Sequence, residues 1–142
     1  MLELNTVSHR RAAILITVVE IGINDFFNNT DTTYNPDNVG AAKLDGLIQR
    51  IFILKPEVFL VVSNITPVGW NTNFAAKWNM QVPIIVEKYK TQGRKCYLAD
   101  LNKGISWNIE ADLSSDKLHP LASGNEKIAD FYLSVLKQFL KK

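Results

Sequence analysis

An α/β fold on a parallel sheet is predicted by three observations on this chain of 142 residues. Short, continuous, β-branched runs alternate with longer segments of helical periodicity. Their order reads strand, helix, strand, helix, strand, helix. Polar, turn-forming segments follow the strands. Such alternation means parallel strands joined by right-handed crossovers, and places a site outside the carboxyl ends of the strands.

The elements follow in order. Residues 1–13 read as an irregular N-terminal segment. Ile14-Leu15-Ile16-Thr17-Val18-Val19 is short and apolar throughout, the pattern of a strand buried on both faces. Gly22 to Asn38 is polar and rich in Asn and Asp, so it reads as a long loop. Leu44, Leu47, Ile48, Ile51 and Phe52 recur at helical spacing, predicting a helix from Val39 to Leu54, ended by Lys55-Pro56. Val58-Phe59-Leu60-Val61-Val62 is a second buried strand, and Asn64 to Asn73 a loop holding Pro67 and Gly69. A helix covers Thr72 to Thr91, with Pro83 expected to kink or break it and Gly93 as its C-cap. Cys96-Tyr97-Leu98-Ala99-Asp100-Leu101 is the third strand, and Asn102 to Pro120 a loop with room for one short turn. Ser123-Gly124-Asn125-Glu126 matches a capping box, with Ser123 as N-cap. Ile128, Phe131, Tyr132, Val135, Leu136 and Phe139 then give the buried stripe of a last helix.

Composition narrows the functional classes. Hydrophobic residues are 46% and charged residues 21% of the chain, which is the size and make-up of one soluble domain spanning 1–142. The formal charge is only +2, and basic residues are scattered apart from Arg10-Arg11 and Lys141-Lys142, so no nucleic-acid footprint is present. No apolar run reaches the roughly 18 residues that span a membrane. The N-terminus lacks a signal-peptide layout, so the sequence assigns no compartment. Cys96, the one cysteine, lies in an apolar stretch and reads as a buried structural thiol. The segment Asn28 to Asn38 carries oxygen ligands but not the spacing of a calcium loop. No metal or cofactor is expected.

Two motifs carry chemistry. Asp116 and His119 stand three residues apart before Pro120. In a turn, that spacing lets the carboxylate hold the imidazole Nδ1, fix the tautomer and leave Nε2 as a general base. The alternative is a solvated surface turn. Gly22-Ile23-Asn24-Asp25 directly follows a buried strand. Glycine allows a tight turn there, and Asn24 can then aim its amide at a developing oxyanion, a donor typically worth about 3 kcal/mol. The alternative is an Asx-rich turn that ends the strand. Asp25 reads as a backbone-bonding residue and not as a base.

Taken together, Gly-x-Asn-Asp after a strand and Asp-x-x-His-Pro before a final helix resemble the SGNH (GDSL-type) hydrolases, and more narrowly their acetyl xylan esterase-like carbohydrate esterases. The likeness runs from Ile14 to Leu140. It includes Asn64-Ile65-Thr66-Pro67, Pro83 within a helix, and Ser123-Gly124. The resemblance implies a three-layer α/β/α sandwich on a flavodoxin-like sheet, in a family often secreted. It implies hydrolysis of acylated carbohydrate or small esters through an acyl-enzyme. By position, Asn24 is the oxyanion-hole residue, His119 the general base and Asp116 the residue that orients it. Gly22 is the motif glycine, while Asp25 and Pro120 are structural.

The chain departs from the family at one point. No Gly-Asp-Ser turn occurs in it, so the family's first strands and its nucleophile are expected to be missing. Ser8 lies at the wrong end of the first strand and Ser63 on the wrong strand. Ser114 and Ser115 are near Asp116 in sequence. Without its family neighbour, the strand Ile14–Val19 becomes an edge. An apolar edge recruits another chain, which predicts a homo-oligomer through it, or a swapped segment using Met1 to Arg11. An inactive carbohydrate-binding or oligomerising remnant is the alternative function. Trp70, Trp78 and Trp107 are possible sugar-stacking residues, with core packing expected for at least two.

Overall fold

The computed structural model describes residues 14–26, 39–69 and 72–140. The proposed swapping segment, Ser8, the oxygen-rich segment Asn28 to Asn38 and Trp70 lie outside these residues. Three parallel strands, β1 (Ile16–Glu20), β2 (Phe59–Ser63) and β3 (Cys96–Ala99), form one sheet in the order β1-β2-β3. Helices α1 (Ala41–Leu54), α2 (Thr72–Thr91) and α5 (Ala122–Leu140) are the long crossover and terminal helices, and α3 (Leu101–Gly104) and α4 (Ile109–Asp112) are single turns.

Strand periodicity divides the core. Alternate side chains of a strand point to opposite faces. Leu60, Val62 and Cys96 therefore meet Leu44, Ile48 and Phe52 of α1 and Trp78, Val82, Val86 and Tyr89 of α2. Val61 and Ala99 face the other way, onto Val135, with Phe131, Tyr132, Leu136 and Phe139 of α5 packed around them. The result is helix, sheet, helix: the three-layer sandwich expected. Each fully buried aliphatic side chain of this core contributes about 1.5–3 kcal/mol.

Five local expectations change. The first strand begins at Ile16 and is not buried on both faces: Val18 is 43% exposed and Ile14 57%. Among the described residues it pairs only with β2, which leaves it at the edge of the sheet. Gly22 to Phe26 is not all loop, because Ile23–Phe26 closes one 3₁₀ turn. Pro83 lies within α2 without interrupting it. An interior proline costs about 3 kcal/mol, but Val82 at 0% and Val86 at 4% exposure anchor the helix on both sides of it. Asn102 to Pro120 holds α3 and α4 and an antiparallel bridge between Leu113 and Pro120. Ser123 is not an N-cap. Helix α5 already runs from Ala122, and the Ser123 hydroxyl donates instead to the carbonyl of Ala111 at 2.9 Å.

Gly93 and Cys96 stand as expected. The backbone of Gly93 has φ +77 and donates to the carbonyl of Lys90 at the end of α2. Cys96 is fully buried, and burial pushes its thiol up to about 12. Trp78 is a core residue at 2% exposure, and Trp107 is half-buried with its indole N–H on the Leu101 carbonyl. No helix among the described residues is long and apolar enough to cross a membrane.

Candidate active site

The loop from Ser114 to His119 is built to hold one side-chain pair. Leu113 and Pro120 bridge across its base, the His119 carbonyl accepts from the Ser114 amide at 2.8 Å, and the Ser114 carbonyl accepts from the Lys117 amide at 2.8 Å. The turn closes through Lys117 in the left-handed region at φ +54. Inside it, Asp116 Oδ1 accepts from the amides of Leu118 (2.9 Å) and His119 (3.0 Å) and from the Ser114 hydroxyl (2.5 Å). Asp116 Oδ2 meets His119 Nδ1 at 2.6 Å. The Ser114 hydroxyl first, then the imidazole and the two amides, hold the Asp116 carboxyl well below the usual carboxylate range. An ionised carboxylate only accepts, so Nδ1 is the donor and Nε2 is left free.

The loop is docked on its surroundings through two glycines. The Gly69 amide donates to the Lys117 carbonyl at 2.9 Å, and a Cβ on Gly69 would stand 2.3 Å from Lys117 Cβ. A Cβ on Gly124 would stand 2.4 Å from the Asp112 carbonyl oxygen. Asp112, at 2% exposure, accepts from Lys127 Nζ at 2.6 Å and from the Asn108 amide at 2.7 Å, which fixes the entry to the loop.

The other motif turns sharply off β1. Gly22 has φ +114, and a Cβ there would lie 2.5 Å from Trp78 Cε2. Only glycine fits both the backbone and the space. The 3₁₀ turn that follows presents Asn24 to solvent, while the side chain of Asp25 lies outside the described residues.

The two motifs meet in one cavity of about 530 Å³. Glu20, Ile21, Ile23 and Asn24 line it from the end of β1. Ile65 and Thr66 follow β2, and Asp116, Leu118, His119 and Pro120 come from the loop. A second cavity of about 500 Å³ is lined by Asn64, Pro67 and Val68 and, among the described residues, by no histidine. The pair is exposed, His119 at 74% and Asp116 at 49% of the side chain, and it borders this concave space together with Asn24.

Among the described residues, no serine lines the cavity of His119. Ser63 shares a 2.5 Å hydrogen bond with the hydroxyl of Tyr132, and Ser114 is committed to Asp116. Among the described residues, Thr66 is the one hydroxyl-bearing residue of the lining. Neither Thr66 nor Glu20 has a site role in the two sequence motifs. Glu20 is the last residue of β1, where the carboxyl-end rule for parallel sheets points. Its Oε2 accepts from Tyr132 at 3.0 Å, and burial raises its carboxyl, an effect the tyrosine opposes. Among the described residues, no group of three or more His, Cys, Asp or Glu side chains is placed to hold a metal.

Known proteins share this architecture. No family model matches the sequence. A protein of Acetivibrio thermocellus named "Putative endoglucanase X" is 32% identical over 129 residues, which is 80% of this chain and 56% of that protein. A family 3 carbohydrate esterase of Clostridium thermocellum is 30% identical with a TM-score of 0.70, covering 87% of this chain and 58% of the other. A family 3 carbohydrate esterase from Talaromyces cellulolyticus superposes with a TM-score of 0.74 at 22% identity, covering 89% and 58%. A GDSL-like lipase from Bacteroides thetaiotaomicron does so with a TM-score of 0.56 at 18% identity, covering 85% and 61%. The chain thus spans a little more than half the length of these proteins. In fold and in sequence, over that span, it resembles the SGNH (GDSL-type) hydrolases of the carbohydrate-esterase kind.

Proposed function

We propose that this chain carries the base and oxyanion half of a carboxylic ester hydrolase that deacetylates carbohydrate esters. The observation that carries the reading is the 2.6 Å pair of Asp116 Oδ2 and His119 Nδ1 on a cavity that Asn24 also lines. In this reading His119 Nε2 takes the proton of an attacking serine and returns it to the departing alcohol. Asp116 orients the ring and stabilises the imidazolium. The Asn24 amide donates to the oxyanion of the tetrahedral intermediate. The serine is not in a Gly-Asp-Ser turn of this chain, so it comes from outside these residues. The name of the Acetivibrio relative points instead to glucan cleavage. That chemistry uses two carboxyl groups flanking the scissile bond, whereas here Asp116 is committed to His119.

The missing serine also supports a second reading, in which the chain is a non-catalytic carbohydrate-binding or oligomerising module that retains half a site. The second reading leaves the edge of β1 open to another chain. We expect association through Ile14–Val19, read by sedimentation of the purified protein. Hydrolysis of 4-nitrophenyl acetate separates the two functions. Activity abolished by His119→Ala supports the esterase, activity that survives this change removes His119 from the mechanism, and no activity once a Gly-Asp-Ser segment is supplied with the chain favours the module.

A further inference from the structure

Glu20 is a carboxylate on the same cavity as His119 that the esterase reading does not use. Its geometry is specified from behind. Tyr132 of α5 donates to Oε2 at 3.0 Å, and the Tyr132 hydroxyl is itself held by Ser63 at 2.5 Å. Among the described residues Oε1 has no hydrogen-bond partner, so one acceptor remains for a ligand. No lysine or arginine among the described residues lines the cavity. Lys117, the basic residue of the adjoining loop, is paired with Glu110. The charged lining is therefore Glu20 together with the Asp116-His119 pair. A pocket with fixed carboxylates, an amide at Asn24 and apolar walls at Ile21, Ile65 and Leu118 accepts hydroxyl donors and repels anions.

We propose that Glu20 is a specificity-determining residue of this cavity, accepting a hydroxyl of an uncharged sugar ester and excluding esters that carry a carboxylate. The inference rests on the cavity being the ester site. Binding is followed through the His119 imidazole C–H signals in proton-carbon NMR, with acetylated methyl xyloside as the neutral probe and acetylated methyl glucuronide as the anionic one. The wild-type chain should bind the neutral probe about ten-fold more tightly, the size of effect expected of one like charge about 6 Å away at an effective dielectric of about 40. Glu20→Gln should remove most of that gap, and Tyr132→Phe, which keeps the charge, should retain it. Salt of about 1 M, where the Debye length is about 3 Å, should narrow the gap in the wild-type chain without any substitution. Equal affinity for both probes, or a gap unchanged by Glu20→Gln and by salt, overturns the role of Glu20 and leaves the ester site standing. Failure of both probes to shift His119 overturns the ester site and this proposal with it.

Discussion

Replacing Gly22 with alanine tests the turn that delivers Asn24. Two costs can be read from the structure. A non-glycine residue at φ +114 is held in a sparsely populated backbone region, which costs about 1–3 kcal/mol. The new Cβ would also lie 2.5, 2.6 and 2.8 Å from Cε2, Cζ2 and Nε1 of Trp78. Trp78 is 2% exposed in the middle of α2 and has no room to retreat, so overpacking adds about 1–3 kcal/mol. The sum, about 2–6 kcal/mol, is a large part of the roughly 5–15 kcal/mol that holds a domain together. Urea unfolding measures it as a lower midpoint at unchanged slope. The two costs separate in a double-mutant cycle with Trp78→Phe, whose single smaller ring withdraws from the space of Cζ2 and eases the contact. Among the described residues the indole N–H has no hydrogen-bond partner, so its loss strands no acceptor there. The clash should be relieved and the backbone strain should remain, giving a favourable coupling of about 1–3 kcal/mol. A loss under about 0.5 kcal/mol for Gly22→Ala, the range of ordinary surface changes, would refute the reasoning, as would zero coupling to Trp78→Phe.

Three further outcomes are expected. The Asp116 carboxyl is lowered chiefly by the Ser114 and His119 hydrogen bonds, so the unfolded chain takes up its proton near pH 4 while the folded chain resists until stronger acid. Stability should therefore fall as pH drops below about 4, and Asp116→Asn should flatten that acid limb in thermal scans, with loss of the downfield Nδ1 proton of His119. Lys127→Met leaves the buried Asp112 carboxylate without its cation, so the melting temperature should fall, recovering in Lys127→Arg and in the Asp112→Asn/Lys127→Met pair. If the chain hydrolyses 4-nitrophenyl acetate, Asn24→Ala should lower kcat about 10²–10³-fold with little change in KM. A change confined to KM would assign Asn24 to substrate binding.

The local devices of the site were readable because they are local. Asp116 and His119 are three residues apart, and a turn closed over that spacing leaves the carboxylate few places to go but the imidazole and the intervening amides. Gly22 announced a positive φ after a strand, and Gly93 the end of a helix. The alternation of β-branched runs with helical stripes fixed the sheet as parallel and both motifs at its carboxyl edge. What the sequence could not supply were relations between distant residues. The Ser123 hydroxyl reads as an N-cap from its neighbours, and the approach of Ala111 gives it a different partner. Pro83 stays helical because the core on both sides of it outweighs its own preference. Glu20 owes its orientation to Tyr132, 112 residues away in the chain. That Gly22 must be glycine for reasons of space as well as of φ depends on an indole from α2. Backbone preferences and short-range hydrogen bonds are written into neighbouring residues, so the sequence determined the two motifs. Steric fit, burial and long-range partners exist only once the layers have packed, and that packing alone joined the motifs on one cavity.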